Sequence, residues 1–238
     1  MPLLAITLLA AAAAQPAPIQ AYLPNAVLVE TAGQLPPPPA PGSAADAADR
    51  QYYRDITLNS PDRLVQRARK LSVMLRPVYR NALSCELGAQ IDPKLTPALW
   101  TMLLRADVDA GRASGAVKAD TGPKRPRPNS EDGSTSCDGR TAAARPGSPY
   151  PSRQATSGYL WALILADLRP DRRADLLAFG TETGDFWVVC RFSWKSDAEQ
   201  GRALAQSLFR QLLKAPAFKG DLARAKAELA TASPPFSC

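Results

Sequence analysis

At 238 residues, with 45% hydrophobic and 21% charged residues, the chain falls in the ordinary globular range and is long enough for one good core, so one folded domain is expected. The formal charge of +7 suits an anionic partner, but the Lys and Arg residues are dispersed and not interleaved with aromatics, which sets nucleic-acid binding aside. Histidine is absent from the sequence, and with no C-x-x-C pair, Gly-rich nucleotide loop or G-x-S-x-G elbow, neither a metal site nor a cofactor is expected.

Residues 1–14 carry an apolar run through Leu3, Leu4, Ile6, Leu8 and Leu9 into Ala10 to Ala14. The run is too short for a bilayer and ends in small residues, as a secretory signal peptide does; the lack of Lys or Arg ahead of it leaves an uncleaved anchor as the rival. No later segment approaches the roughly 20 apolar residues of a membrane span, so no span is expected in the mature chain. Residues 15–46, with Pro36 to Pro39 at their heart, are rich in Pro and Ala and read as a flexible arm, the folded domain following over 47–238.

From Pro61 to Leu83 the residues Leu64, Val65, Ala68, Leu71, Leu75 and Val78 recur at helical spacing, with Asn59 or Ser60 as caps and Pro77 as a kink or divide. A second helix opens near Thr96-Pro97 and carries Leu99, Met102, Leu103 and Val108. Ala119 to Tyr150 is a long polar loop, of the kind that is functional or disordered. Ser152 caps a third helix with Leu160, Leu163, Ile164 and Leu168 on its face, and Pro170-Asp171 opens a fourth through Leu176, Leu177 and Phe179. A fifth starts at about Phe186 or Asp197 and repeats Leu204, Leu208 and Leu212; Pro216 interrupts it before a short last helix over Leu222 to Leu229. Only Phe186 to Phe192 is strand-prone, so the class is all-α, a helical bundle.

The cysteines Cys85, Cys137, Cys190 and Cys238 are scattered, and disulfides in an oxidising compartment fit them better than metal, with buried free thiols as the alternative. Of three connectivities, which sequence alone does not separate, the expected one pairs Cys85 with Cys137 and Cys190 with Cys238.

Three ordered stretches carry a resemblance. Tyr150-Pro-Ser-Arg-Gln-Ala-Thr resembles the YPSGHT segment of the class A bacterial acid phosphatases, in the superfamily of type 2 phosphatidic-acid phosphatases and vanadium haloperoxidases. Val188-Val-Cys-Arg-Phe-Ser-Trp-Lys-Ser-Asp197 resembles their VxCGxHWxSD segment, and Lys118 with Arg125-Pro126 matches an upstream Lys, six residues, Arg-Pro. Members often read RPRP there, which makes Arg127 the counterpart and leaves Asp120 where Lys belongs. The resemblance spans roughly Cys85 to Leu229 and implies the helical bundle of that family, secreted or periplasmic.

It also implies a mechanism: one histidine attacks phosphorus, a carboxylate four residues on orients its imidazole, and a second histidine protonates the leaving oxygen. Here the nucleophile position is Ser193, the acid position is Gln154 and the orienting carboxylate is Asp197. A serine needs a base, and a carboxylate with an ordinary pKa of about 3.9 serves poorly; Gln cannot transfer a proton near neutral pH. The family's Ser-Arg pair appears as Phe186-Trp187, and its glycines as Arg153 and Arg191. Phosphate or another small anion remains the expected ligand, through Lys118, Arg125, Arg127, Ser152, Arg153 and Arg191. Beside these stand plainer readings: Asp197 and Ser152 as helix caps, Phe186 and Trp187 as core, and Arg153 and Arg191 filling the old pocket or pointing to solvent. Three functions follow: an impaired pseudophosphatase that binds an anion, an active phosphomonoesterase rebuilt around Ser193 and Asp197, or a periplasmic assembly partner using the proline-rich arm.

Overall fold

A computed structural model describes residues 18–121, 125–144 and 147–238; the leader at 1–14 lies outside them. Among the described residues there is no strand. The helices are α1 (Asn25–Gly33), α2 (Ala44–Asn59), α3 (Asp62–Leu71), α4 (Pro77–Leu87), α5 (Pro97–Thr121), α6 (Arg153–Leu168), α7 (Arg173–Val189), α8 (Lys195–Leu212) and α9 (Pro216–Leu229). The all-α class read from the periodicity is the one observed. The strand-prone run at 186–192 is instead the end of α7 and the turn after it, with Phe186 and Cys190 buried one helical turn apart.

Prolines set several boundaries. The single helix expected over Pro61–Leu83 is two, because Pro77 takes the first position of α4 and drives Arg76 into an extended conformation (ψ 145°). Leu75 and Val78, read as core, are consequently on the surface. Neither Asn59 nor Ser60 caps α3, whose N-cap is Pro61 without a side-chain bond. Ser152 does cap α6, its Oγ accepting from Ala155 N at 3.4 Å. The N-terminus of α5 is capped from outside, by Glu228 of α9, which accepts from Ala98 N (3.1 Å) and Leu99 N (2.8 Å).

The core is built around α6, which is apolar nearly all round and packs on α5, α7 and α8. Its approach to α7 and α8 depends on missing side chains. A Cβ at Gly180 would lie 2.4 Å from Ala162 Cβ, one at Gly158 2.4 Å from Thr183 Cγ2, and one at Gly201 2.5 Å from the Ser152 carbonyl oxygen. Trp161, fully buried, donates Nε1–H to Leu103 O at 2.8 Å, so the largest core side chain also fixes α6 against α5.

Two expectations are corrected. The described part of the 15–46 segment is no flexible arm: Tyr22, Leu23, Leu28 and Ala32 are buried in the main core, and Asp109 of α5 accepts from Tyr22 N (3.0 Å) and Leu23 N (3.1 Å). Apolar anchors on the N-terminal side of the proline run outweigh its composition, so the folded part starts well before residue 47. The proline run is itself tied down, since Pro36 O accepts from the Tyr150 hydroxyl. The disulfides are Cys85–Cys238 and Cys137–Cys190, not the pairs expected. The C-terminal tail returns to the end of α4, with Gln90 N donating to Ser233 O (2.9 Å) and Phe236 N to Gln90 Oε1 (3.2 Å), which brings Cys238 to Cys85.

The same substitution has opposite signs at two helical glycines. Gly180→Ala forces α6 from α7 and is expected to cost about 1–3 kcal/mol. Gly115→Ala in α5, with nothing within 4 Å of its added methyl, is expected to stabilise by about 0.5–1 kcal/mol. Urea unfolding checks both: the midpoint falls for the first and rises for the second, at unchanged slope.

Candidate active site at two helix N-termini

The N-termini of α6 and α8 meet. The Ser152 N–H donates to Asp197 O at 2.9 Å, and the Cβ-less approach at Gly201 lets α8 come this close. Around this junction lie most of the residues singled out in the sequence, and each has a definite partner set.

Asp197 is completely buried. It is the third residue of α8, not the cap: its Oδ2 accepts from Trp194 N at 2.7 Å. The indole cannot return that bond, since its N–H is donor only and goes to Pro126 O at 2.8 Å. Asp197 Oδ1 lies 3.5 Å from Arg125 Nε, an ion-pair distance without hydrogen-bond geometry, and has no hydrogen-bond partner. Burial pushes the Asp197 carboxyl up to about 7; Arg125, the Trp194 N–H and Lys118 hold it down, and Asp49 adds to the rise.

Arg125 is also buried and pairs with Asp49 of α2, whose carboxylate accepts in addition from Ser196 N (2.9 Å) and Ser196 Oγ (2.5 Å). Nothing in the sequence pointed to Asp49, because α2 carries only a weak apolar signal and a lone Asp on it is unremarked. The guanidinium of Arg125 thus faces two carboxylates, keeps Nη1 buried without a hydrogen-bond partner, and lies 5.7 Å from the Trp194 ring.

Lys118, near the end of α5, donates Nζ–H to Pro151 O (2.9 Å) and Ser148 O (3.1 Å), holding the turn that leads into α6. Burial first, and Arg127 and Arg153 with it, lower its pKa to about 8 against the opposing pull of Asp197. Arg127 donates to Phe192 O at 2.7 Å. Lys118 and Arg127 therefore feel each other across the α6 N-terminus, which itself carries partial positive charge.

The remaining positions turn elsewhere. Gln154 donates Nε2–H to Ser72 O at 3.1 Å, and Trp187 donates Nε1–H to the same carbonyl at 2.7 Å. Trp187 packs against Phe192 in a tilted pair at 4.5 Å between centroids, while Phe186 is core. Ser193 is buried but stands before α8 in the turn closing α7, where its N–H donates to Trp187 O at 3.3 Å. It therefore does not share a helical face with Asp197, and neither Asp197 oxygen accepts from it. Arg153 lies along α5 to reach Asp107 at 2.8 Å. Arg191 adopts φ +65° and lines a different cavity, so the arginines do not converge on one point.

Chemically, the junction offers cations and helix amides that can hold an anion, and a serine without a base to deprotonate it. Among the described residues no group of three or more His, Cys, Asp or Glu is placed to hold a metal, and no helix is long and apolar enough to cross a membrane.

No family model matches the chain. It is similar to the non-specific acid phosphatase of Salmonella typhimurium, 32% identical over 198 residues, covering 82% of this chain and 78% of the relative. The non-specific acid phosphatase of Providencia stuartii is 30% identical over 212 residues, 88% of this chain and 84% of the relative. The acid phosphatase of Zymomonas mobilis is 30% identical over 196 residues, 82% of this chain and 74% of the relative.

The raised Asp197 carboxyl sets a sign for stability against pH. Between the ordinary carboxylate value of about 4 and about 7, the folded chain keeps a proton that the unfolded chain has released. Through this group, rising pH destabilises across that window, and the loss is complete above it. Melting temperatures at pH 5 and pH 8 should therefore drop more for the natural protein than for Asp197→Asn. An equal drop in both would show that the carboxyl is not raised.

Proposed function

We propose that this chain, which belongs to the acid phosphatase family, is a catalytically impaired member that keeps the scaffold and an anion-holding pocket at the α6 N-terminus. Its place is in the type 2 phosphatidic-acid phosphatase and vanadium haloperoxidase superfamily. The observation that carries the reading is Asp197 Oδ1, buried and without a hydrogen-bond donor. In the resembled motif the carboxylate at this position orients the attacking imidazole, and here Ser193 supplies none.

Supporting it, the acid position holds Gln154, whose amide is already bonded to Ser72 O, and the motif's Arg is Trp187, which fills space where a guanidinium would reach an anion. Removal of such a nucleophile costs on the order of 10⁶ in rate elsewhere. What the pocket keeps is Lys118, Arg127 and the free amides of the α6 first turn beside Ser152. Arg125 pairs with Asp49 through Nη2 and lies 3.5 Å from Asp197 through Nε, while its Nη1 is buried without a hydrogen-bond partner. The two disulfides and the leader-like N-terminus support a periplasmic or secreted location.

Hydrolysis of p-nitrophenyl phosphate by the purified mature protein, from acid to neutral pH, tests this with Ser193→Ala as the comparison. The expected result is a rate several orders of magnitude below the ordinary enzyme range of about 1–10³ s⁻¹, unchanged by the substitution. Turnover within that range that disappears in Ser193→Ala would overturn the proposal in favour of a site rebuilt around Ser193 and Asp197.

A further inference from the structure

A cavity of about 210 Å³ lies where the end of α2, α3, residues 135–137 and the end of α7 meet. Its lining includes Thr57, Ser60, Arg69, Ser136, Cys137 and Arg191, and none of Lys118, Arg125, Arg127, Ser152, Gln154, Ser193 or Asp197. The volume equals roughly seven shares of liquid water, enough for a tetrahedral oxyanion with a small substituent.

Charge and hydrogen bonding point the same way. Among the described residues neither Arg69 nor Arg191 has a carboxylate within ion-pair distance, and no acidic residue lines the cavity. The acid that feels Arg191 electrostatically, Asp132, is already engaged by Ser134 N (2.9 Å) and the Tyr53 hydroxyl (2.9 Å). Thr57 Oγ1 and Ser60 Oγ are buried without any hydrogen-bond partner, a state that native interiors rarely tolerate. Ser136 Oγ, by contrast, is satisfied by Asp138 Oδ1 (2.7 Å). The Cys137–Cys190 disulfide fixes the wall that carries Arg191 to the wall formed by residues 135–137, so the backbone of that donor is held in place before anything binds.

Arg191 is the more telling of the two. Its φ of +65° lies in the region that favours glycine, and a long cationic side chain is held there against that preference. Arg191 shares the lining of the cavity with Arg69 and with the unpartnered hydroxyls of Thr57 and Ser60, so two like charges border one space that no carboxylate lines. Guanidinium groups in such an arrangement present paired N–H donors matched to phosphate or sulfate oxygens.

We propose that this cavity is a second, non-catalytic oxyanion site, with Arg69 and Arg191 as charged donors and Thr57 and Ser60 as neutral ones, taking a phosphate-type group free or on a small carrier. It does not depend on whether the α6 site is active.

Isothermal titration with inorganic phosphate at constant ionic strength tests it on the natural protein, Arg69→Gln, Arg191→Gly and Lys118→Met. Arg191→Gly removes the cation while relieving the backbone, so a folding defect cannot account for lost binding. The expected result is one phosphate-binding step about tenfold weaker or worse in Arg69→Gln and Arg191→Gly, a step that stays within about twofold of natural in Lys118→Met, whose effect is confined to the α6 site. A parallel titration with glycerol phosphate separates the sources: tighter binding than phosphate indicates an esterified group, equal or weaker binding the free anion. Absence of phosphate binding by the natural protein, or loss confined to Lys118→Met, would overturn the proposal.

Discussion

Two carboxylates and one guanidinium, all buried, hold the site region together. Arg125 joins Asp49 of α2 to Asp197 of α8, and each carboxylate also accepts a backbone N–H at the start of α8, from Ser196 and Trp194. Burying charges is favourable only when geometry and hydrogen bonds offset the lost hydration. Here Asp49 is well supplied and Asp197 is not, since its Oδ1 has no hydrogen-bond partner. The imbalance explains why burial wins over Arg125 at Asp197 and its carboxyl rises to about 7. Through the Ser152 N–H bonded to Asp197 O, the same knot sets where α6 begins, and with it the direction of its amides.

The knot would fail without close helix packing beneath it. Gly158, Gly180 and Gly201 remove the side chains that would separate α6 from α7 and α8, and the contact at Gly201 is to the carbonyl of Ser152 itself. Local chemistry at the α6 N-terminus and global packing therefore constrain one another: the cap residue, the buried aspartate and the glycine all fall within one short-range contact. A strong local helix signal alone could not have specified this, because the relevant glycines weaken helix propensity.

What sequence made legible follows from what it encodes locally. Helices with continuous apolar faces, α5, α6 and α8, were evident from periodicity, and the Ser152 cap from its residue type. The break before α4 was signalled by Pro77. By contrast α1 was hidden behind a proline run, because composition averages over Tyr22, Leu23 and Leu28, the few residues that bury. Long-range pairings were the least accessible: Asp49 with Arg125, Glu228 with the α5 N-terminus, and Cys85 with Cys238 depend on tertiary approach that no spacing records. For Ser193 and Asp197 the four-residue interval would give a shared face only inside a helix, and α8 starts at Lys195, so the interval alone could not place them together.

The residues that agree with the resembled motifs and those that depart from them divide along a physical line. Ser152 caps α6, Trp194 donates to Pro126 O and packs against Tyr53 at 5.7 Å, Ser196 binds Asp49, and Asp197 closes the first turn of α8. Each has a folding role that does not involve a histidine. Among the departures, Arg153 pairs with Asp107, Gln154 and Trp187 both donate to Ser72 O, and Arg191 lines the second cavity, while Phe186 and Ser193 are buried. Agreement at the first group is thus required by the helix junction whether or not phosphate chemistry occurs, and it carries no weight for retained catalysis. The weight falls on the second group, where a glycine-like backbone at Arg191 persists although the residue that such a backbone favours is gone. That conformation holds a cation at the lining of the second cavity, away from the acid–base positions at the α6 and α8 N-termini, and it is the backbone feature on which the proposed oxyanion site rests.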